Sequence, residues 1–505
     1  MDNAVPHRRR FSEGQAQRRF QIPFTVPGWS WAALPALMLA LIAAGLRLEL
    51  LLRYPLLYDG DAYGRWLSRN QPFQSPWVPL FQLCLFALTR LADTIFAVQL
   101  LAVCFGVTAI LAFWLLLYRA FGASIAYLGA LGLALHPIFI LFTIAPYQEG
   151  LFLTLACLAI WLALAPGEPR WLWLTLVTGL AALTRYEGWL LALLLWLFLL
   201  WRRRKAGALG WRFAAGSALA LGWAPLLWIA VQRDISPAGF QTLAPTLNPT
   251  SLLSTLSALW PAWSFLPGLV GGILALGGFV WLGWRARCGS ELAGLLLAFL
   301  AGDLLIIAFL RPFSPNNLRL PLLSLPVVLA GMAGLLVDGA RFFWQRLHWP
   351  AHWQVSQTWW RWSFWLLLTA LLLFWSVPIA TARVAAYDAL VRPAYLAAET
   401  LPPSLPLKAP VALIGNATDE GAFDMYAQQA GWQGQASYLV PASVNAPDQL
   451  AAALQAEHAR LLIIFGSALS SAGPLALAQA GFLVPAGKGP GYVIWAVQRF
   501  SSPRP

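Results

Sequence analysis

The sequence predicts a polytopic α-helical membrane protein that carries a small α/β domain at its C-terminal end. Of the 505 residues, 59% are hydrophobic, whereas about half is usual for a soluble protein. Apolar runs near the length that crosses about 30 Å of hydrocarbon as a helix recur between residues 29 and 382. We predict about eleven spans: 29–52, 95–118, 121–143, 150–165, 171–184, 188–201, 211–231, 265–284, 291–310, 318–338 and 363–382.

Basic residues predict the orientation of these helices. They collect in short clusters beside the apolar runs, such as Arg202–Lys205 and the arginines of segment 1–28. Because Lys and Arg concentrate in cytoplasmic loops, segment 1–28 is expected to be cytoplasmic. The first apolar run ends in Arg47, Glu49 and Arg53 rather than in a small-residue cleavage site, so we expect it to remain as a helix.

The apolar stretch Val78–Leu91 tests this topology. At about 14 residues it is too short to span, so we interpret it as a helix at the membrane interface. With that choice every later basic cluster falls inside, whereas a crossing would move each to the wrong side. A transmembrane module over residues 29–382 then has its first outer loop at 53–78, and residues 383–505 lie on the outer side of the cell membrane.

Composition also limits the possible partners. The net charge of +13 does not indicate nucleic acid, because the basic residues flank apolar runs and so are typical of topological signals and of contact with lipid headgroups. The four cysteines have no paired spacing that would indicate a zinc site or a disulfide framework. We interpret them as packing residues.

The same topology places most carboxylates near helix ends on the outer side. Charges at membrane depth are costly unless they are paired or wetted, so this concentration predicts a polar cavity at the outer rim. Asp303 lies within a predicted helix and either reaches that cavity or pairs with a neighbouring helix. The carboxylates of the outer rim include Asp59, Asp61, Glu149 and Glu187.

The region from 383 to 505 has a different pattern, in which short β-rich pieces alternate with Ala-rich helical ones. It contains no G-x-G-x-x-G motif, so no nucleotide site is assigned to it. We interpret it as a lid, an acceptor-binding module or a cap on the helices. The predicted strands are 411–414, 437–440, 461–465 and 492–497, and the predicted helices are 419–430, 447–459 and 474–480.

The order of motifs over residues 30–340 resembles the GT-C class of membrane glycosyltransferases, which includes protein O-mannosyltransferases, aminoarabinose transferases and glycosylphosphatidylinositol mannosyltransferases. The first outer loop carries Asp59-Gly60-Asp61-Ala62-Tyr63, followed by an interface helix. The remaining matching motifs are Tyr118–Gly122, Pro146–Glu149, Leu183–Gly188 and Asn316–Pro321.

That resemblance implies transfer of a sugar from a polyprenyl phosphate to a glycan, lipid or protein acceptor on the outer face. A first-loop carboxylate would remove a proton from the acceptor hydroxyl, and arginines would stabilise the departing phosphate. We favour Asp61 over Asp59 as the base, because Asp61 leads into a helical segment whose N-terminus keeps a carboxylate ionised. The resemblance further implies a substrate-binding set of Tyr63, Glu149, Arg185, Tyr186, Glu187, Arg311, Asn317 and Arg319.

Several alternatives stay open. Asp59 and Asp61 could hold a divalent cation such as Mg²⁺ or Mn²⁺, with Glu149 completing an oxygen shell. The D-G-D triplet is also typical of a solvated turn, and Glu149 and Glu187 could simply pair with arginines at helix ends. A transporter or lipid flippase would also need a polar cavity, although the half-repeat symmetry common in that class is missing from the sequence.

Overall fold

A computed structural model describes most of the helical region and of the C-terminal domain. The residues that it describes are 33–55, 60–73, 78–165, 170–235, 268–310, 322–346, 357–401, 409–415, 417–434, 436–439 and 446–498.

Within these ranges the chain forms fourteen helices before the first strand. Each of the eleven predicted apolar runs overlaps a helix, so the predicted fold class is confirmed. The helices are α1 (Ala33–Arg53), α2 (Gly60–Leu67), α3 (Pro79–Thr89), α4 (Ile95–Phe121), α5 (Ala123–Leu135), α6 (Pro137–Ile144), α7 (Glu149–Ala163), α8 (Trp171–Ala182), α9 (Glu187–Lys205), α10 (Trp211–Ile235), α11 (Gly268–Arg287), α12 (Glu291–Leu310), α13 (Leu325–Arg346) and α14 (Gln357–Glu399).

The run predicted at 121–143 as one helix is two. Helices α5 and α6 meet at His136 and Pro137 with a bend of 61°. Proline has no amide hydrogen and its ring clashes with the preceding turn, so the helix breaks there. The bend carries the chain from α5 toward the start of α7, where Glu149 lies.

Five helices in the described part of the chain are long and apolar enough to cross a membrane, and the bent α5–α6 pair would make a sixth. Helices α7 and α8 have only 15 and 12 residues, fewer than the roughly 20 that span a bilayer without assistance. The chain is therefore a multi-pass membrane protein, and the count of eleven spans stays a prediction.

The loop after α1, which is predicted to lie on the outer side, is not simply extended. It contains α2, and α3 follows it with 11 residues, or about 16 Å at the rise of an α-helix. This length is too short to span, as predicted for the interface helix. Gln82 of α3 donates to Ser68 Oγ at 2.6 Å and to the carbonyl oxygen of Arg65 at 3.4 Å, so the two helices are held together.

The C-terminal domain contains a five-stranded sheet in the order β2-β1-β3-β5-β4. Strand β1 pairs in parallel with β2 and β3, and strand β5 pairs antiparallel with β3 and β4. The elements of the domain are β1 (Val411–Ile414), α15 (Ala417–Gln429), β2 (Ala436–Tyr438), α16 (Pro447–Ala456), β3 (Leu461–Phe465), α17 (Ala472–Gln479), β4 (Leu483–Gly489) and β5 (Tyr492–Val497), with a 3₁₀ turn at Gly466–Ser470. Strand β4 was not predicted, because an edge strand containing Pro485, Gly487 and Gly489 lacks the usual strand composition.

Helix α14 connects the membrane region to this domain. It continues through residue 383, where a domain boundary was predicted, and ends at Glu399. Tyr395 near its end packs edge-on against Tyr426 of α15, with ring centroids 5.1 Å apart. Helix α15 also contacts α2. The C-terminal domain therefore lies over the first loop.

We use two names for the ends of the helical region. The site end contains α2 and the starts of α7 and α9. The basic end contains the ends of α4, α7 and α9.

Candidate active site at the site end

A buried guanidinium held by two carboxylates lies where α7 and α9 begin. Arg185 Nε and Nη2 donate to the two oxygens of Glu187 at 3.0 and 2.9 Å, and Nη1 donates to Glu149 Oε1. The three side chains are 4%, 3% and 0% exposed, respectively. Removing one member of such a buried pair typically costs about 3–5 kcal/mol.

Local sequence explains how these residues meet. Glu149 and Glu187 each occupy the first position of a helix, where the helix dipole stabilises a negative charge. The turn between α8 and α9 is tight, since a methyl group at Gly188 would lie 2.5 Å from the carbonyl oxygen of Ala181. Glycine at 188 therefore lets α9 start directly beside the end of α8, with Arg185 between them.

A third carboxylate belongs to this group. Asp303 of α12 is 1% exposed and interacts electrostatically with Arg185. Its helix packs closely on α9, because a methyl group at Gly302 would lie 2.8 Å from the side chain of Leu190. Of the two interpretations left open for Asp303, the structure therefore favours pairing with a neighbouring helix, because Arg185 lies directly before α9. Contact of Asp303 with the predicted cavity stays a prediction. We call Glu149, Arg185, Glu187 and Asp303 the acidic cluster.

Helix α2 adjoins the acidic cluster through α3. The amide of Leu80 donates to the carbonyl oxygen of Leu183 at 2.8 Å, two residues before Arg185. Asp61 is in the first turn of α2 and is partly exposed, whereas Tyr63 is buried. The structure thus places the predicted base and the predicted Arg185 motif at the same end of the bundle.

The remaining predicted site residues have mixed outcomes. Tyr186 is partly buried and packs edge-on against Trp189, with ring centroids 5.3 Å apart. The interpretation of Glu149 and Glu187 as partners of an arginine is what the structure shows, while their contact with sugar stays a prediction. Four predicted residues lie outside the described residues: Asp59, Arg311, Asn317 and Arg319.

Sequence reasoning missed two buried arginines. Arg65 follows Asp61 by one helical turn in α2, is fully buried, and lies 5.5 Å from the centroid of the Phe81 ring. Arg47 of α1 is also fully buried. For Arg47 the available signal was a charged residue inside an otherwise apolar helix, which is expensive in a membrane and so indicates a specific role. No comparable signal marks Arg65, whose short helix also contains Asp61.

The divalent-cation hypothesis stays a prediction. Among the residues that the structure describes, no group of three His, Cys, Asp or Glu side chains is arranged to hold a metal ion. Asp59, half of the predicted carboxylate pair, is outside that set. Glu149, the third predicted ligand, already uses Oε1 to accept from Arg185.

Comparisons with known proteins agree with this architecture. A family described as dolichyl-phosphate-mannose-protein mannosyltransferase matches residues 70–228, which include α3 and the Arg185 motif. Comparison with curated proteins gives no match.

Solved structures match nearly the whole chain. ArnT from Cupriavidus metallidurans bound to undecaprenyl phosphate aligns with a TM-score of 0.57 and 15% identity, over 94% of this chain and 98% of that chain. The oligosaccharyltransferase of Archaeoglobus fulgidus, in complex with Zn and sulfate, aligns with a TM-score of 0.54 and 13% identity, over 92% of this chain and 73% of that chain. At these identities the likeness establishes the fold, and the GT-C resemblance predicted from the sequence is confirmed.

Proposed function

We propose that this protein transfers a sugar from a polyprenyl-phosphate donor to an acceptor at the site end, with Asp61 as the general base. The observation that carries the proposal is the chain of hydrogen bonds from α2, which has Asp61 in its first turn, through α3 to the turn that precedes Arg185. The family match and the ArnT fold support a lipid-phosphate donor. The acceptor belongs to one of three classes: glycan, lipid or protein.

The chemistry requires a base and a stabilised leaving group. The hydroxyl of the acceptor becomes a competent nucleophile when a carboxylate within about 3 Å accepts its proton. Asp61 is suited to this role because it lies in the first turn of α2 and is partly exposed, so an acceptor hydroxyl can reach its carboxylate. The new bond joins the hydroxyl oxygen to the anomeric carbon, and the bond from that carbon to the phosphate oxygen breaks.

The geometry supports an orienting role for Arg185. Each of its three guanidinium nitrogens donates to Glu149 or Glu187, and the side chain is 4% exposed. We infer that Arg185 fixes the two carboxylates, which in turn orient sugar hydroxyl groups. The resemblance implies Arg185, Arg311 or Arg319 as the group that stabilises the departing phosphate. Because Arg185 already donates to two carboxylates, we assign this role to Arg319 and Arg311.

Sugar transfer by the purified protein tests this proposal. We expect the wild type to move sugar from a defined polyprenyl-phosphate sugar to cell-envelope extract, and Asp61→Asn to transfer roughly 10²-fold more slowly, because the amide cannot accept a proton. Insertion and donor binding should be retained. A wild-type rate with unchanged pH dependence in Asp61→Asn would remove Asp61 as the base.

Substitution of Asp59 distinguishes a mechanism in which Asp59 only orients Asp61 from one in which both carboxylates bind a divalent cation. If Asp59 only orients Asp61, Asp59→Asn should cost less than Asp61→Asn. If both carboxylates hold a divalent cation, the two losses should be similar, EDTA should abolish wild-type transfer and Mn²⁺ should restore it.

A further inference from the structure

Arg47 is an unusual residue for the interior of a membrane helix bundle. It lies in α1 and is fully buried, and no carboxylate in the described part of the chain forms an ion pair with it. A charge at this depth is costly unless other polar groups replace its water. The groups that contact the Arg47 guanidinium therefore indicate its role.

Those contacts are neutral oxygens of two other helices and of its own helix. Arg47 Nε donates to Thr143 Oγ1 of α6 at 2.7 Å. Nη1 donates to the carbonyl oxygen of Ala134 in the last turn of α5 at 3.1 Å and to that of Ala43 at 3.2 Å. The guanidinium also lies 5.3 Å from the centroid of the Phe139 ring, where a cation is attracted to the π face.

The α5–α6 bend explains why a cation is suited to this place. The last carbonyl oxygens of a helix lack intrahelical partners, and the C-terminal end of its dipole attracts positive charge. Arg47 supplies both a donor and a charge at the end of α5, and at the same time holds α6 through Thr143. One side chain thus fixes both halves of the bend to α1.

The bend is connected to Glu149 by close backbone packing. A methyl group at Gly106 of α4 would lie 2.6 Å from Cβ of Thr143, and one at Gly150 would lie 2.9 Å from the Gly106 nitrogen. The α4 backbone at Gly106 therefore touches α6 at the Arg47 partner and α7 at the residue after Glu149. Displacement of α6 would move this contact.

We propose that Arg47 is a positioning residue that locks the α5–α6 bend and thereby holds the Glu149 carboxylate against Arg185. The catalytic part of this inference rests on the proposed function. The structural part does not, because it concerns only the rigidity of residues 137–152, which form α6 and the start of α7. The two parts are tested by different measurements.

Hydrogen exchange tests the structural part in the full-length protein in detergent. In Arg47→Gln, amides of residues 137–152 should exchange roughly tenfold faster or more, because loss of a charge-assisted hydrogen bond changes an equilibrium by at least that factor. Thr143→Val, which keeps the cation and removes one acceptor, should give a smaller change in the same segment. Unchanged exchange in both variants would overturn the proposal.

Arg119→Gln is the matched control. Arg119 also donates to carbonyl oxygens at a helix end, those of Trp161 and Leu164 at 3.0 Å each, but at the far end of α7. We expect its substitution to speed exchange near residues 159–165 and to leave 137–152 unchanged. Equal loosening of 137–152 by Arg47→Gln and Arg119→Gln would show a general loss of stability and would contradict a specific role.

A double-mutant cycle on transfer tests the catalytic part. Arg47→Gln should lower kcat with little change in the donor KM, and combining it with Glu149→Gln should cost little more than Glu149→Gln alone, because residues that act through one another are not additive. Additive losses would overturn the positioning role. If the wild type transfers no sugar, the proposed function fails. Hydrogen exchange still decides whether Arg47 restrains residues 137–152.

Discussion

The two ends of helix α7 use arginine in different ways. At its start, Glu149 accepts from Arg185, whose guanidinium is buried between carboxylates. At its end, Arg119 and Arg202 donate to backbone carbonyl oxygens, and the nearest acidic partner of Arg202 is the partly exposed Glu291 at 3.6 Å. Arginines at a helix C-terminus are typical caps, whereas buried carboxylates that share a specific charged partner are candidates for a functional site.

This difference separates topological anchors from a candidate site. At the basic end, the last two residues of α9, Arg204 and Lys205, are exposed, as expected for residues that contact lipid headgroups or solvent. At the site end the charges face one another inside the protein. The positions of carboxylates are therefore more informative about function in this chain than the more numerous arginines.

The comparison predicts an all-or-none difference in accessibility. In a variant whose four native cysteines are replaced by Ala, Gln429→Cys in α15 should react with an impermeant thiol reagent added to intact cells, and Ala208→Cys after α9 should not. Both positions are exposed, so burial does not explain the difference. The opposite labelling pattern would invert the orientation and place the candidate site in the cytoplasm.

The next largest effect is a difference in transfer rate between two Glu→Gln variants, one at each end of the helical region. Glu149→Gln should reduce transfer by roughly 10²-fold and lower thermal stability, because it leaves a buried guanidinium partly unpaired. Glu291→Gln removes the carboxylate from the ion pair with Arg202, whose side chains are 26% and 34% exposed, so transfer should stay near wild type. Similar losses in the two variants would show that the two ends do not differ in function.

A smaller effect is expected for a buried carboxylate in the C-terminal domain. Burial raises the pKa of Asp424, although hydrogen bonds from Tyr438 and from the amide of Ala436 partly oppose that rise. Because the folded pKa lies above the unfolded value of about 3.9, stability is greatest below the unfolded pKa and is lost as the pH rises through the folded pKa. Asp424→Asn should therefore reduce the difference between thermal midpoints measured below the unfolded pKa, at pH 3.5, and well above it, at pH 7.5. An unchanged difference would assign it to other groups.

Much of this architecture could be predicted from local sequence. The run Leu461–Phe465 is apolar throughout and is buried on both faces, as expected for the central strand of a sheet that is covered on both sides. The meeting of Arg185 with Glu149 and Glu187 follows from topology, since the number of crossings places all three residues at one end. Only the hydrogen-bond geometry among these three side chains could not be predicted without the structure.

Other features depend on tertiary neighbours and could not be predicted. Arg47 was interpreted as part of the charged end of an apolar run, because only the folded chain shows that the α5–α6 bend supplies its acceptors. Strand β4 is recognisable only through its pairing with β5. The contact between α2 and α15 joins helices that are far apart in the sequence. No local sequence pattern predicts it.

Arg185 at the site end is expected to serve catalysis, whereas Arg119 at the basic end is expected to serve structure, and this contrast can be measured. Single-turnover transfer by purified Arg185→Lys and Arg119→Lys tests it most directly, because both variants keep the charge and lose the planar fork of donors. We predict a loss of roughly tenfold or more for Arg185→Lys, the equivalent of at least one charge-assisted hydrogen bond, and a rate close to wild type for Arg119→Lys. Equal rates in the two variants, or a greater loss in Arg119→Lys, would contradict the account.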